Sequence, residues 1–193
     1  YTTLRADTAA FARAFTMTLQ RVALFSLPTS VVLVVAAKPV VLALLGERWL
    51  STVVPLRILA AYGIVRLFAS VCGPVFQAAG KPQLVPLLAL PHGIVIIPAL
   101  ALLVPPLGLE GAALAMLIAF SASGVPAFLL ALRLLGVGPG ELARALGPLA
   151  ACSAILAGAL AALLPAVEPL AAIPALAVLL AAGTAVYIAA VGV

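Results

Sequence analysis

The feature that most limits what this chain can become is a series of apolar runs, each about 20 residues or longer and nearly free of charge. A helix rises about 1.5 Å per residue, so each such run covers about 30 Å of hydrocarbon. Composition agrees: 66% of the 193 residues are hydrophobic, 8% are charged, and the mean hydropathy is +1.37. A soluble domain carries about 25% charged residues because its surface must meet water. This surface has to meet lipid. The expected fold class is all-α, a polytopic membrane bundle of about six transmembrane helices. A secretory leader accounts for one apolar run at the start and not for runs spread along the whole chain. The chain opens on Tyr1 and closes on apolar residues without a basic flank, so extension at both ends is expected.

Residues 1–20 read as an interfacial helix and entry to the first span, since Phe11, Phe15 and Leu19 recur at spacings of four. Residues 21–135 read as a four-span core. The first span covers about 21–45 and stops at Gly46-Glu47-Arg48-Trp49, where Gly46 suits a helix C-cap and Trp49 the headgroup boundary. The second covers about 54–79 and stops at Gly80-Lys81-Pro82. The third runs over about 84–104, and the fourth from about Glu110 to Arg133. Residues 136–145 read as a polar cytoplasmic linker. Two further spans fill 146–193, at about 146–164 and 170–190, with a turn at 165–169 between them.

Basic flanks set orientation in membranes. With a cytoplasmic N-terminal end, one side receives Arg5, Arg13, Arg21, Lys81, Arg133 and Arg144. The other receives Arg48 with Glu47, Glu110 and Glu168. Six basic residues against one supports both the span count and the orientation. Many of the sixteen prolines fall inside spans, among them Pro28, Pro39, Pro74, Pro86, Pro91, Pro98, Pro126 and Pro174. Each removes a backbone donor and bends its helix, a feature common in transporters and present in passive bundles too.

Three basic residues lie within spans, where a charge at a helix centre costs about 2.5–3.5 kcal/mol. Arg66 is the most informative. Tyr62, Arg66, Ser70, Gly73 and Gln77 recur at spacings of four, four, three and four, and so form a polar stripe on one helix face. Such a stripe either lines a cavity or is structural, with Arg66 pairing with a carboxylate on a missing part of the chain or capping the carbonyls of a bent helix; within this chain no carboxylate lies mid-span. Arg66, Tyr62, Ser70, Gln77 and Lys38 are therefore the candidate substrate-binding residues. Lys38 and Arg57 are each near enough to the Gly46 end to snorkel toward it. His92, beside Pro91 and Gly93, reads as a satisfied hydrogen-bonding residue in a bent helix, with titration near neutral pH as the alternative.

The net charge of +5 does not indicate nucleic acid, because the ten Lys and Arg residues neither cluster nor interleave with aromatics. No nucleic-acid partner is expected. Cys72 and Cys152 both lie in apolar runs and match no ligand spacing, so they read as packing residues. One His, no mid-span carboxylates and no glycine-rich phosphate loop leave no catalytic or metal-binding set. No enzymatic activity, metal or cofactor is expected.

The ordered motifs carry a resemblance. Leu44-Leu45-Gly46-Glu47-Arg48-Trp49, then Val54-Pro55-Leu56-Arg57-Ile58-Leu59-Ala60, resembles the C-terminal part of bacterial oligosaccharide flippases. Gly73-Pro74-Val75-Phe76-Gln77-Ala78-Ala79-Gly80-Lys81-Pro82 is similar to the family element A-x-G-[KR]-p that closes the next helix. Pro106-Leu107-Gly108-Leu109-Glu110-Gly111-Ala112-Ala113 is similar to the G-x-x-G-A-A entry to a later span. The family is the polysaccharide-transport branch of the multidrug/oligosaccharidyl-lipid/polysaccharide exporter superfamily, and the likeness covers about residues 5–135.

The resemblance implies a two-lobed transporter of which this chain forms most of the second lobe. It implies a multi-pass protein of the cell inner (cytoplasmic) membrane that flips undecaprenyl-diphosphate-linked oligosaccharides for cell-surface polysaccharide biosynthesis. Its partners would be the lipid-linked oligosaccharide, membrane lipids and, in some members, a coupling ion. The alternatives are a multidrug or cation exporter of the same superfamily and a non-transport membrane component of polysaccharide assembly.

Overall fold

The computed structural model describes residues 2–167 and 172–191. Glu168 and Pro169, the end of the expected turn, lie outside the described residues, as do the side chains of Arg5 and Asp7. The elements in chain order are α1 (Thr2–Val35), α2 (Ala37–Leu44), a 3-10 turn (Glu47–Thr52), α3 (Val53–Ser70) and α4 (Cys72–Ala78), then α5 (Leu84–Leu107), α6 (Leu109–Leu135), α7 (Pro139–Val167) and α8 (Ala172–Val191). No strand occurs among the described residues. The protein is an all-α polytopic helix bundle.

Among the described residues five segments are long and apolar enough to cross a membrane: Ala10–Val35, Glu47–Ala78, Leu84–Leu107, Leu109–Leu135 and Pro139–Ala166. The sixth expected span is α8, whose described apolar stretch is the shorter Leu176–Ala185. The helices stand in a row. α5 packs on α6, α6 on α3, α3 on α1, α1 on α7 and α7 on α8, with α2 folding back onto α8. Short links force sequential helices antiparallel, which explains α5 beside α6 and α7 beside α8.

The helix expected over residues 1–20 runs straight into the first span as part of α1, which buries Phe15 and Leu19 against Phe76 and Ala131 in one core cluster. Burying those two side chains outweighs leaving an amphipathic turn at the surface; Phe11, on the same helix, stays 42% exposed. Two local readings change. The linker at 136–145 shrinks to three residues, since α7 begins at Pro139. Proline suits that first helical position, where its missing N–H would have had no intrahelical partner. The turn expected from Pro165 is also displaced, because α7 continues to Val167.

Two spans break, and both breaks fall three residues before a proline. α1 ends before Ala36, ahead of Pro39, and α3 ends before Val71, ahead of Pro74. In each case the proline cannot donate to the carbonyl four residues back, at Val35 and Ser70. Pro28 breaks nothing. The Leu24 carbonyl it leaves without a helical donor accepts the Tyr187 hydroxyl of α8 at 2.7 Å. This bond spans 163 residues of sequence.

Two clusters form the core. One gathers Leu19, Leu67, Phe76 and Ala131 where α1, α3, α4 and α6 meet; the other gathers Ala36, Leu156, Leu160 and Leu179. α5 contributes no buried residue, so its whole length is available to lipid or to more protein. The α5–α6 turn is tight. Gly108 takes φ +56°, and a methyl added at Gly111 would collide with the Leu103 carbonyl.

Candidate functional site

α3 lies between α1 and α6, and packing on those two neighbours consumes the faces carrying Ala60 and Leu67. The face left over carries Tyr62, Arg66 and Ser70, whereas the break at Val71 puts Gly73 and Gln77 on α4, so the expected stripe is split between two helices. Arg66, Ser70 and Gln77 are exposed, Tyr62 is half-buried, and a methyl at Gly73 would meet nothing within 4 Å. Arg66 sits near the middle of the apolar segment Glu47–Ala78. Its Nη1 donates to the Tyr62 hydroxyl at 3.0 Å, one turn away on the same helix. Ser70 donates to the Leu67 carbonyl at 2.7 Å, so its hydroxyl proton is committed locally. Arg66 thus retains most of its five donors for something outside the helix.

The stripe has a backing that sequence spacing did not reveal. The Phe120 ring of α6 takes the Tyr62 ring edge-on, with centroids 5.0 Å apart and 74° between planes. The same ring takes His92 of α5 edge-on, at 5.9 Å and 77°. Phe120 therefore joins three helices and holds Tyr62 where it can receive the guanidinium. No signal local to α3 points to it, because the partner lies more than fifty residues onward. His92 differs from its expected role as a satisfied hydrogen-bonding residue. Its Nδ1 is buried and has no partner, because Phe120 offers a ring and no acceptor there.

Lys38 is placed elsewhere. It is exposed on α2, an element that folds toward α8 and the 3-10 turn, and no hydrogen bond joins it to the stripe. Arg57 is also exposed, one span-half away from Arg66 on α3. Among the described residues none of these three cations has a carboxylate partner. No cluster of metal-ligating side chains occurs among them either. Cys72 is buried and donates to the Phe68 carbonyl at 3.3 Å, a packing role.

The basic end of the molecule is coherent. Gln20 of α1 donates to the Ala145 carbonyl of α7 at 2.9 Å, which brings Arg21 and Arg144 to the same end. The first core cluster, with Phe15, Leu84 and Leu135 in it, draws the Lys81 and Arg133 flanks there as well.

Residues 1–54 match a protein family described as polysaccharide biosynthesis protein. This part of the chain resembles that family. No curated protein and no solved structure matches the chain. The matched stretch holds α1, α2 and the 3-10 turn, with Arg21 and Lys38. It stops short of the stripe on α3, and short of the later motifs at Gly80-Lys81-Pro82 and Gly108–Ala113. Taken with the apolar helices, it supports a multi-pass membrane component of polysaccharide biosynthesis.

Proposed function

We propose that the chain is part of a flippase that carries lipid-linked oligosaccharides across the cytoplasmic membrane. The observation that carries this reading is Arg66: mid-span, exposed on an open helix face, and without a carboxylate among the described residues. A guanidinium at that depth costs about 2.5–3.5 kcal/mol against lipid, so it faces water or a polar ligand. Its planar fork suits the oxygens of a phosphate, which it takes as paired hydrogen bonds. In this reading Arg66 holds the anionic head of the substrate, the Tyr62 hydroxyl fixes the guanidinium, and Gln77 offers an amide to sugar hydroxyls. The hydrocarbon stays in the bilayer. The helix breaks at Ala36 and Val71 give two spans a joint at which the half-helices can swing. No enzymatic step is proposed.

A cation exporter would need acidic groups at the same depth, and the described spans carry none there. The test is Arg66→Ala in the full chain, with surface polysaccharide and the pool of lipid-linked intermediate both measured. Loss of export with intermediate trapped on the inner leaflet supports the reading. Unchanged export at normal protein levels removes Arg66 from the mechanism. Trapped intermediate also separates a transport block from a failure of assembly, which leaves no completed lipid-linked saccharide to trap.

A further inference from the structure

A groove between α1, α2 and α8, lined by Phe25, Thr29, Leu180, Thr184 and Tyr187 among others, presents hydrocarbon. Its three hydroxyls are committed to backbone carbonyls: Thr29 donates to Phe25, Thr184 to Leu180 and Tyr187 to Leu24, each at 2.7 Å. Nothing in the structure selects an occupant for it beyond bilayer lipid. The unspent chemistry lies elsewhere, at His92.

His92 stands at the level of the stripe and has no part in the reading above. Phe120, near the middle of α6, meets the Tyr62 ring at 5.0 Å and the His92 ring at 5.9 Å. One phenyl ring thus links the imidazole to the Arg66–Tyr62 pair. Three hydrogen-bonding capacities are unspent at this level. His92 makes no hydrogen bond among the described residues, and its Nδ1 is fully enclosed. Tyr62 accepts from Arg66, and its own hydroxyl proton goes to no described acceptor. Arg66 keeps most of its donors. An enclosed nitrogen left unpaired is costly, so one retained in a fold calls for a reason.

The charges around His92 supply that reason. α5 carries no other ionisable side chain, and it packs on α6 and α4. On α6 the ionisable groups are Glu110 and Arg133, one at each end of the helix. On α4 there is Cys72, whose proton goes to the Phe68 carbonyl. Lys81 lies in the link ahead of α5. Beyond Phe120, α3 brings Tyr62 and Arg66, with Arg57 about two and a half turns before Arg66. Arg66 is therefore the one charge at the level of His92 among the described residues. With the anion site empty, a proton on His92 sets a second cation near Arg66, and no carboxylate offsets it. An anion on Arg66 reverses that balance, since both N–H donors of the imidazolium then face negative charge. Each ligand strengthens the binding of the other by the same factor.

We propose that His92 is a proton site coupled to the anion site: it binds a proton when an anion occupies Arg66 and gives it up when the anion leaves. The proposal rests on the transport reading for the anion at Arg66 and adds the proton. The anion is held more tightly on the acid side of neutrality and let go on the alkaline side.

The experiment uses the full chain in lipid nanodiscs. The probe is a short-chain prenyl diphosphate esterified to a sugar, which has no ionisation near pH 6 of the kind a phosphate monoester has. Native protein should bind it about tenfold more weakly at about pH 8 than at about pH 6. His92→Gln, an uncharged amide, and His92→Phe, which keeps a ring against Phe120, should both bind without change across that range. In the empty protein the carbon-13 signal of the His92 ring, identified by its loss in His92→Gln, should titrate at higher pH in Arg66→Gln than in the native chain. A pH dependence that survives in either folded His92 variant, or a His92 signal that titrates at the same pH with and without Arg66, would overturn the coupling. The two readings fail separately. Arg66→Gln that binds the probe as well as the native protein removes the anion site and the coupling with it. Binding lost in Arg66→Gln, yet flat with pH in the native protein, removes the coupling alone.

Discussion

The two open flanks of the helix row contain similar side chains and behave differently. The α3–α4 flank has a tyrosine, an arginine, a serine and a glutamine; the α1–α8 flank has a tyrosine and two threonines. On the second flank every hydroxyl returns its proton to a backbone carbonyl, and the surface that remains is hydrocarbon. On the first flank Arg66 meets one hydroxyl and keeps donors to spare. Counting polar residues, four against three, barely separates the flanks. Counting unspent donors separates them, and that difference assigns polar recognition to one side and lipid to the other.

The sharpest way to break this comparison is to put a cation on each flank. Leu180→Arg places a charge on the apolar wall and should cost about 2.5–3.5 kcal/mol, read as loss of folded protein after detergent extraction. Gln77→Arg, on the stripe, should leave the yield and melting temperature close to those of the native protein. Equal damage from both substitutions would show that the stripe faces lipid too.

Next in size is the α5–α6 hairpin that carries Phe120 behind the stripe. Gly111→Ala drives a methyl into the Leu103 carbonyl and should cost about 1–3 kcal/mol, measured as a lower melting temperature in detergent. Tyr187→Phe removes the hydroxyl that serves the Leu24 carbonyl beside Pro28, with an expected loss of about 0.6–1.7 kcal/mol in the same assay. The smallest effect belongs to Tyr62→Phe. It leaves the ring on Phe120 and frees the guanidinium, so stability should hold while export falls about two- to threefold.

Much of the fold was legible because its signals are local. Run length marks a crossing helix, and Gly46 and Gly136 mark helix ends, where both adopt the positive φ that glycine tolerates. Tyr62, Arg66 and Ser70 on α3 were legible for the same reason, since spacings of four are read within one helix, but the break at Val71 that moves Gly73 and Gln77 to α4 was not. What escaped was set by partners far along the chain. Proline told that Pro28, Pro39 and Pro74 disturb their helices, but not which helices would break. The outcome at Pro28 turned on Tyr187, which satisfies the carbonyl left without its donor. Phe120 and the groove escaped likewise, because α6 and α8 meet α3 and α1 only in the folded row. Lys38 was grouped with Arg66 by charge, and the break at Ala36 carries it to α2 instead.

The most direct test of the central claim is water access at the two flanks of the intact protein in native membranes. With Cys72 and Cys152 replaced by alanine, Ser70→Cys and Gln77→Cys on the stripe are compared with Phe25→Cys and Leu180→Cys on the groove. The probe is a membrane-impermeant, charged thiol reagent. The account predicts rapid labelling at 70 and 77 and none at 25 and 180. Labelling at the groove positions with silence at 70 and 77 would contradict it.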